Sequence, residues 1–115
     1  MQQFVSSCDC VCDVQPDRER VFVRLAGELD FAAASAVGAT IEELLDAGFG
    51  RVVVDLSALS FLDSAGIHTL LSAQRSADER RCALSVVRGP RNVDRVFELT
   101  GTQSMFAYED PEAPA

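Results

Sequence analysis

The stretch Arg51-Val52-Val53-Val54-Asp55-Leu56-Ser57-Ala58-Leu59-Ser60-Phe61-Leu62-Asp63-Ser64-Ala65-Gly66-Ile67 decides the fold. Val52 to Leu56 is a nearly continuous apolar run, the pattern of a central strand covered by its neighbours. Ser57 to Leu62 reads as a short loop, and a helix opens at Asp63-Ser64. Asp and Ser are both favoured at helix starts because a side-chain oxygen can accept one of the first-turn N–H groups that have no partner inside the helix. Ser64 is then either the N-cap itself or the first helical residue behind an Asp63 cap. Both assignments put a hydroxyl at the positive end of a helix macrodipole, where a phosphate is tolerated.

Outward from this stretch the pattern alternates between strand and helix. Upstream, Cys8, Cys10, Cys12 and Val14 alternate with Asp9, Val11 and Asp13, the period of a half-buried strand with all three thiols on one side. Gln15 to Arg20 is a polar break of hairpin length, and Val21 to Leu25 resumes as a second strand, paired antiparallel with the first. Gly27-Glu28-Leu29-Asp30 closes that strand. The alanine-rich segment behind it is helical, with Val37, Ile41, Leu44 and Leu45 at helical spacing and Gly48 and Gly50 ending it. Downstream, Ile67, Leu70 and Leu71 form the apolar stripe of the second helix. Cys82 to Val87 is a strand, and Pro90 opens a helix with Val93, Val96 and Phe97 inside and Gly101 as its stop. Ser104 to Tyr108 is a short last strand, and 109–115 is an acidic, proline-containing tail.

The expected architecture is a single α/β domain over residues 1–108: a mixed β-sheet of four to five strands, helices mainly on one side, in the order β-β-α-β-α-β-α-β. At 115 residues and 48% hydrophobic composition the chain fits one domain with a real core. The formal charge of −8, with arginine as the basic residue throughout, disfavours nucleic acid and anionic lipid as partners. No apolar run reaches the ~18 to 20 residues of a membrane span, and Met1 to Asp9 lack the basic start and long apolar region of a signal peptide. The expectation is a cytoplasmic protein. In such a compartment Cys8, Cys10, Cys12 and Cys82 are thiols first, serving as small core hydrophobes. A redox role or a metal site is the alternative, although Cys-x-Cys-x-Cys on a strand is not the usual Cys-x-x-Cys turn. No metal or other cofactor is expected.

The chemistry of catalysis is missing. There is no Gly-x-Ser-x-Gly elbow, and the one histidine, His68, lies a helical turn beyond Ser64 with no carboxylate assured to orient it. Glycine-rich phosphate loops and lysine are absent, which argues against autonomous nucleotide chemistry. Capping accounts for Ser64 on spacing alone. What points past capping is the set of carboxylates Asp30, Asp55 and Asp63, which a parallel crossover places near strand ends at one edge of the sheet.

Gly27-Glu28-Leu29-Asp30, then Val52 to Ser57, then Phe61-Leu62-Asp63-Ser64-Ala65-Gly66-Ile67, then Val96-Phe97-Glu98-Leu99-Thr100-Gly101 resemble, in order, the motifs of the STAS domain of bacterial anti-sigma factor antagonists. The resemblance spans Cys8 to Tyr108. It implies a non-enzymatic regulator of sigma factors, a phosphoprotein acting by partner switching, as in stress responses. The unphosphorylated form would bind an anti-sigma factor serine kinase and release the sigma factor; phosphorylation of Ser64 would end binding, and a serine phosphatase would restore it. Asp30, Asp55, Asp63, Ala65, Gly66, Ile67 and His68 would form the partner-binding surface and its acidic rim. Two departures mark this chain: Ala65 stands where a second Ser or Thr often follows the acceptor, and His68 where glycine is common. The same resemblance also admits a STAS scaffold subunit of a lipid-transport ATPase or of a stress-signalling complex.

Overall fold

The computed structural model describes residues 2–5, 11–17 and 19–110. Its regular elements are β1 (Gln2–Val5), β2 (Val11–Asp17), β3 (Arg20–Leu29), α1 (Phe31–Asp46), β4 (Arg51–Leu62), α2 (Ser64–Glu79), β5 (Ala83–Val87), α3 (Arg91–Thr100) and β6 (Ala107–Glu109), with a 3-10 turn at Gln103–Met105 before the last strand. The strands lie in one sheet in sequence order. The β1–β2 and β2–β3 pairs are antiparallel, and β3 to β6 run parallel. Each parallel step is made by one helix, so all three β-to-α junctions fall at the same end of the sheet.

Alternation along the strands separates two faces. Val21, Val23 and Leu25 of β3, Val52, Val54 and Leu56 of β4, and Leu84 and Val86 of β5 form a single buried cluster with Val37 and Ile41 of α1, Ile67 and Leu70 of α2, and Val93 and Phe97 of α3. The helices therefore cover one face, as the sequence pattern predicts. The opposite face carries charged cross-strand pairs, with Arg24 Nε 4.0 Å from Asp55 and Arg51 Nε 3.4 Å from Glu109. The Ser85 hydroxyl also donates to Glu109. Burying each large aliphatic side chain contributes about 1.5–3 kcal/mol, whereas an exposed ion pair contributes about 1 kcal/mol at most. The helix-covered face holds the fold together.

Two contacts set the spacing of α1 and α2. Gly38 lies against Thr69, where an added Cβ would stand 3.3 Å from Thr69 Cγ2, and the Thr69 hydroxyl donates to the Ala34 carbonyl at 3.4 Å. At the far end of the pair, Arg80 donates to Asp46 at 2.8 and 3.0 Å and sits 3.3 Å from Glu42.

The structure departs from the sequence reading in local ways. A further strand, Gln2–Val5, pairs with β2. β2 continues through Gln15 and Pro16 to Asp17, where a polar break was expected, because its pairing with β3 extends to Asp17 opposite Arg20. Pro16 lies beyond the reach of β1, so its missing N–H interrupts no ladder on that side. Ser57 to Leu62, expected as a loop, stays in β4 by pairing with β3 up to Leu29–Leu62, with register shifts between Arg24 and Ala26 and between Gly27 and Glu28. Leu59 and Leu62 are buried, which explains why an apolar segment follows the central strand. Gln103–Met105 forms a 3-10 turn where a strand was expected, and Glu109, expected in the tail, closes β6 opposite Val87.

Cys82 leads into β5 and is buried. Burial raises its thiol pKa, with a hydrogen bond to the Val52 backbone opposing the shift. A thiol held neutral in the folded state stabilises the fold fully below its unfolded pKa, and that contribution is lost as pH rises through the folded value. Stability, measured by urea unfolding, is therefore expected to fall above about pH 8.5 more steeply in the native chain than in Cys82→Ala. Cys82 should also resist alkylation at pH 8 until the chain unfolds.

Candidate functional site

The strands β3 and β4 end side by side at Leu29 and Leu62, and each hands the chain to a helix through an aspartate. Asp30 caps α1, its Oδ1 accepting the Ala33 N–H at 3.0 Å. Asp63 caps α2, its Oδ1 accepting the Gly66 N–H at 3.1 Å. The other oxygen of Asp63 accepts the Phe31 N–H at 3.1 Å. One carboxylate thus serves the first turns of both helices. The Asp63 N–H donates to the Leu29 carbonyl at 3.3 Å, and its carbonyl accepts the Ile67 N–H at 3.1 Å.

This settles the two assignments open for Ser64. Asp63 is the cap, and Ser64 is the first residue of α2, exposed, with no hydrogen bond from its hydroxyl to the described residues. The first turn packs tightly behind it: a Cβ on Gly66 would come within 2.8 Å of the Leu29 carbonyl oxygen and 2.9 Å of Leu29 Cγ. Any side chain at position 66 would push α2 off the ends of β3 and β4.

The residues expected at the partner surface divide by helical geometry. Ser64 and His68, one turn apart, are exposed, and Ala65 is half-buried beside them; Gly66 and Ile67 point into the core. Ser64, Ala65, His68 and Thr69 of α2 face Phe31, Ala32, Ala34 and Ser35 of α1 across an open groove of about 780 Å³. Phe31 is 82% exposed at its mouth, and Phe61 is 45% exposed at the end of β4.

The expected acidic rim is reduced to Asp30 and Asp63. Asp55 belongs to the middle of β4, where it accepts the Ser57 N–H at 2.9 Å and faces Arg24. Because β4 runs on to Leu62, those seven further positions carry the chain roughly 20 Å beyond Asp55 at ~3.3 Å per residue. Cys12 pairs with Leu25 in β2, Cys82 is buried before β5, and Cys8 and Cys10 lie outside the described residues. Among the described residues no group of three or more His, Cys, Asp or Glu side chains is placed to hold a metal. No helix among them is long and apolar enough to cross a membrane.

Sequence reasoning missed Phe31 and the second bond of Asp63. Phe31 carried a signal: it is a large aromatic outside the buried stripe of Ala33, Ala34, Val37, Ile41 and Leu45. The Asp63–Phe31 bond carried none, since it joins residues 32 positions apart.

Against known proteins, the family model described as "Mlab, STAS domain" matches residues 12–106. The chain belongs to the STAS domain family. An anti-sigma F factor antagonist of Lysinibacillus sphaericus is 29% identical to this STAS domain over 85 residues, 73% of each chain. The crystal structure of an anti-sigma factor antagonist from Mycobacterium paratuberculosis superposes with a TM-score of 0.80 at 26% identity, covering 94% of this chain and 92% of that one. The anti-sigma factor antagonist SpoIIAA shares the fold in its unphosphorylated form, with a TM-score of 0.73 at 24% identity over 87% of this chain and 89% of that one. The Bacillus SpoIIAA structure in the phosphorylated form gives 0.67 at 22% identity over 87% and 92%. The resemblance read from the motifs, in family and in fold, is borne out.

The division of labour at residues 63 and 64 gives a direct test. Asp63→Ala removes the cap and the tie to α1 and is expected to lower stability by about 2 kcal/mol, with faster amide exchange at Phe31 and Gly66. Ser64→Ala is expected to change stability by less than about 0.5 kcal/mol. Gly66→Ala should cost about 1–3 kcal/mol through overpacking. Urea unfolding with residue-resolved hydrogen exchange measures all three.

Proposed function

We propose that this STAS domain is an anti-sigma factor antagonist, a cytoplasmic binding module and not an enzyme, whose affinity for an anti-sigma factor serine kinase is set by phosphorylation of Ser64. The unphosphorylated form binds the kinase and frees its sigma factor; a serine phosphatase acting on phospho-Ser64 restores it. The observation that carries the reading is that Ser64 is exposed at the first position of α2 while Asp63 does the capping. The hydroxyl is free for a kinase, and modifying it breaks no bond of the fold. The relatives named above are anti-sigma factor antagonists, and one of them has been solved both with and without phosphate.

The mechanism is local. A phosphoryl group adds about −1.5 to −2 charge at pH 7. At the α2 N-terminus, with the helix dipole and first-turn amides at hand, the domain holds that charge without unfolding. A partner surface shaped to a neutral hydroxyl beside the apolar groove meets added volume, a desolvation cost and repulsion between its own acidic groups and the phosphate. A penalty of about 3 kcal/mol weakens binding more than a hundredfold. Phe31, a large aromatic exposed at the groove mouth, is the anchor expected of such an interface.

Incubation with ATP and the serine kinases encoded beside it, followed by mass spectrometry of the Ser64 peptide, tests the assignment. Ser64→Ala should bind the kinase constitutively, Ser64→Asp at least tenfold more weakly, and Phe31→Ala about tenfold more weakly or worse at unchanged stability. Wild-type binding by both Ser64 variants, or co-purification with membrane ATPase subunits in place of a soluble kinase, would overturn it.

A further inference from the structure

We infer that His68 is a built-in counter-ion for a phosphate on Ser64, so that the phosphorylated form responds to pH; this rests on the reading of Ser64 as the phosphoacceptor. Ser64 and His68 are i and i+4 on one exposed face of α2 and line the same groove. Helical side chains lean toward the helix N-terminus, so the imidazole covers the turn that begins at Ser64. An acidic group N-terminal to a basic one at this spacing is also the favourable order.

The surroundings leave the pairing to His68. Across the groove α1 presents Phe31, Ala32, Ala34 and Ser35, none of which ionises. The carboxylates at the two helix starts, Asp30 and Asp63, accept backbone N–H groups. Further along, Leu71 and Ser72 are uncharged, Arg75 stands two turns below, and Glu42 of α1 is paired with Arg80. Among the described residues lining the groove, His68 alone carries an ionisable side chain.

The linkage has a definite sign. An imidazolium attracts a phosphate dianion more than a neutral ring does, so phosphorylation moves the imidazole titration to higher pH and the ring moves the phosphate titration to lower pH. By reciprocity, a proton on His68 favours the phosphorylated form. Imidazoles and phosphate monoesters ordinarily change charge between about pH 5 and 8, which sets the window of the test.

The test uses the full chain with phosphoserine incorporated at position 64 during translation, beside the unmodified chain and His68→Gln. His68 is the only histidine, so its ring signal in NMR is unambiguous. The ring's titration midpoint is expected to rise by about half to one pH unit on phosphorylation. The 31P midpoint of the phosphate should rise by a comparable amount in His68→Gln, and 1 M salt should shrink both effects. A ring midpoint unmoved by phosphorylation, or equal 31P midpoints with and without His68, overturns the inference. No kinase takes part. Coupling in a chain that no serine kinase modifies would therefore sustain this inference and overturn the proposed function, and the converse result would overturn this inference alone.

Discussion

The carboxylate of Asp63 is the constraint on which the site depends. Its two oxygens accept N–H groups from the first turns of two different helices, Gly66 of α2 and Phe31 of α1. A single neutral capping hydroxyl could not do this with the same strength, because hydrogen bonds to a charged acceptor are about twice as strong. The bond to α1 fixes where Phe31 emerges, and the bond to α2 fixes where Ser64 emerges. The groove between them follows from one side chain and the parallel ends of β3 and β4.

Both helices are also held away from that end. Arg80 bridges to Asp46 and Glu42, and the Gly38–Thr69 approach keeps the helix axes close. With Ile67, Leu70, Ala73 and Ala77 buried along α2, the helix has one face committed to the core and one offered to solvent. A charge added at Ser64 on such a scaffold would alter the surface with no need for a rearrangement of the core.

Much of this was legible in the sequence because it rests on local pattern. The β-branched run Val52–Val54, the Asp-Ser helix start and the Gly101 stop, where the backbone turns left-handed at φ 70°, each state their structure within a few residues. What escaped depends on partners far along the chain. Ser57 to Leu62 looks like a loop because its serines break the apolar run, yet β3 supplies the pairing that keeps it extended. Asp55 looks like a member of the acidic rim only if that loop exists; once β4 continues, the residue is displaced toward the middle of the sheet. Gly66 and Ile67, which the resemblance places on the partner surface beside His68, are sent inward by the turn of the helix. The exposure of Phe31 could be suspected from its place outside the apolar stripe, but its nearness to Ser64 required the pairing of Leu29 with Leu62 and the Asp63 bridge.

The adjacency of a structural aspartate and an unburdened serine has an evolutionary consequence. Position 63 is constrained by the fold, since both helix starts depend on it, while position 64 meets no such structural demand. A lineage can therefore change, lose or regain the hydroxyl by substitution at one codon while the scaffold beneath it is inherited intact. Two neighbouring residues in the same turn are free to diverge at different rates.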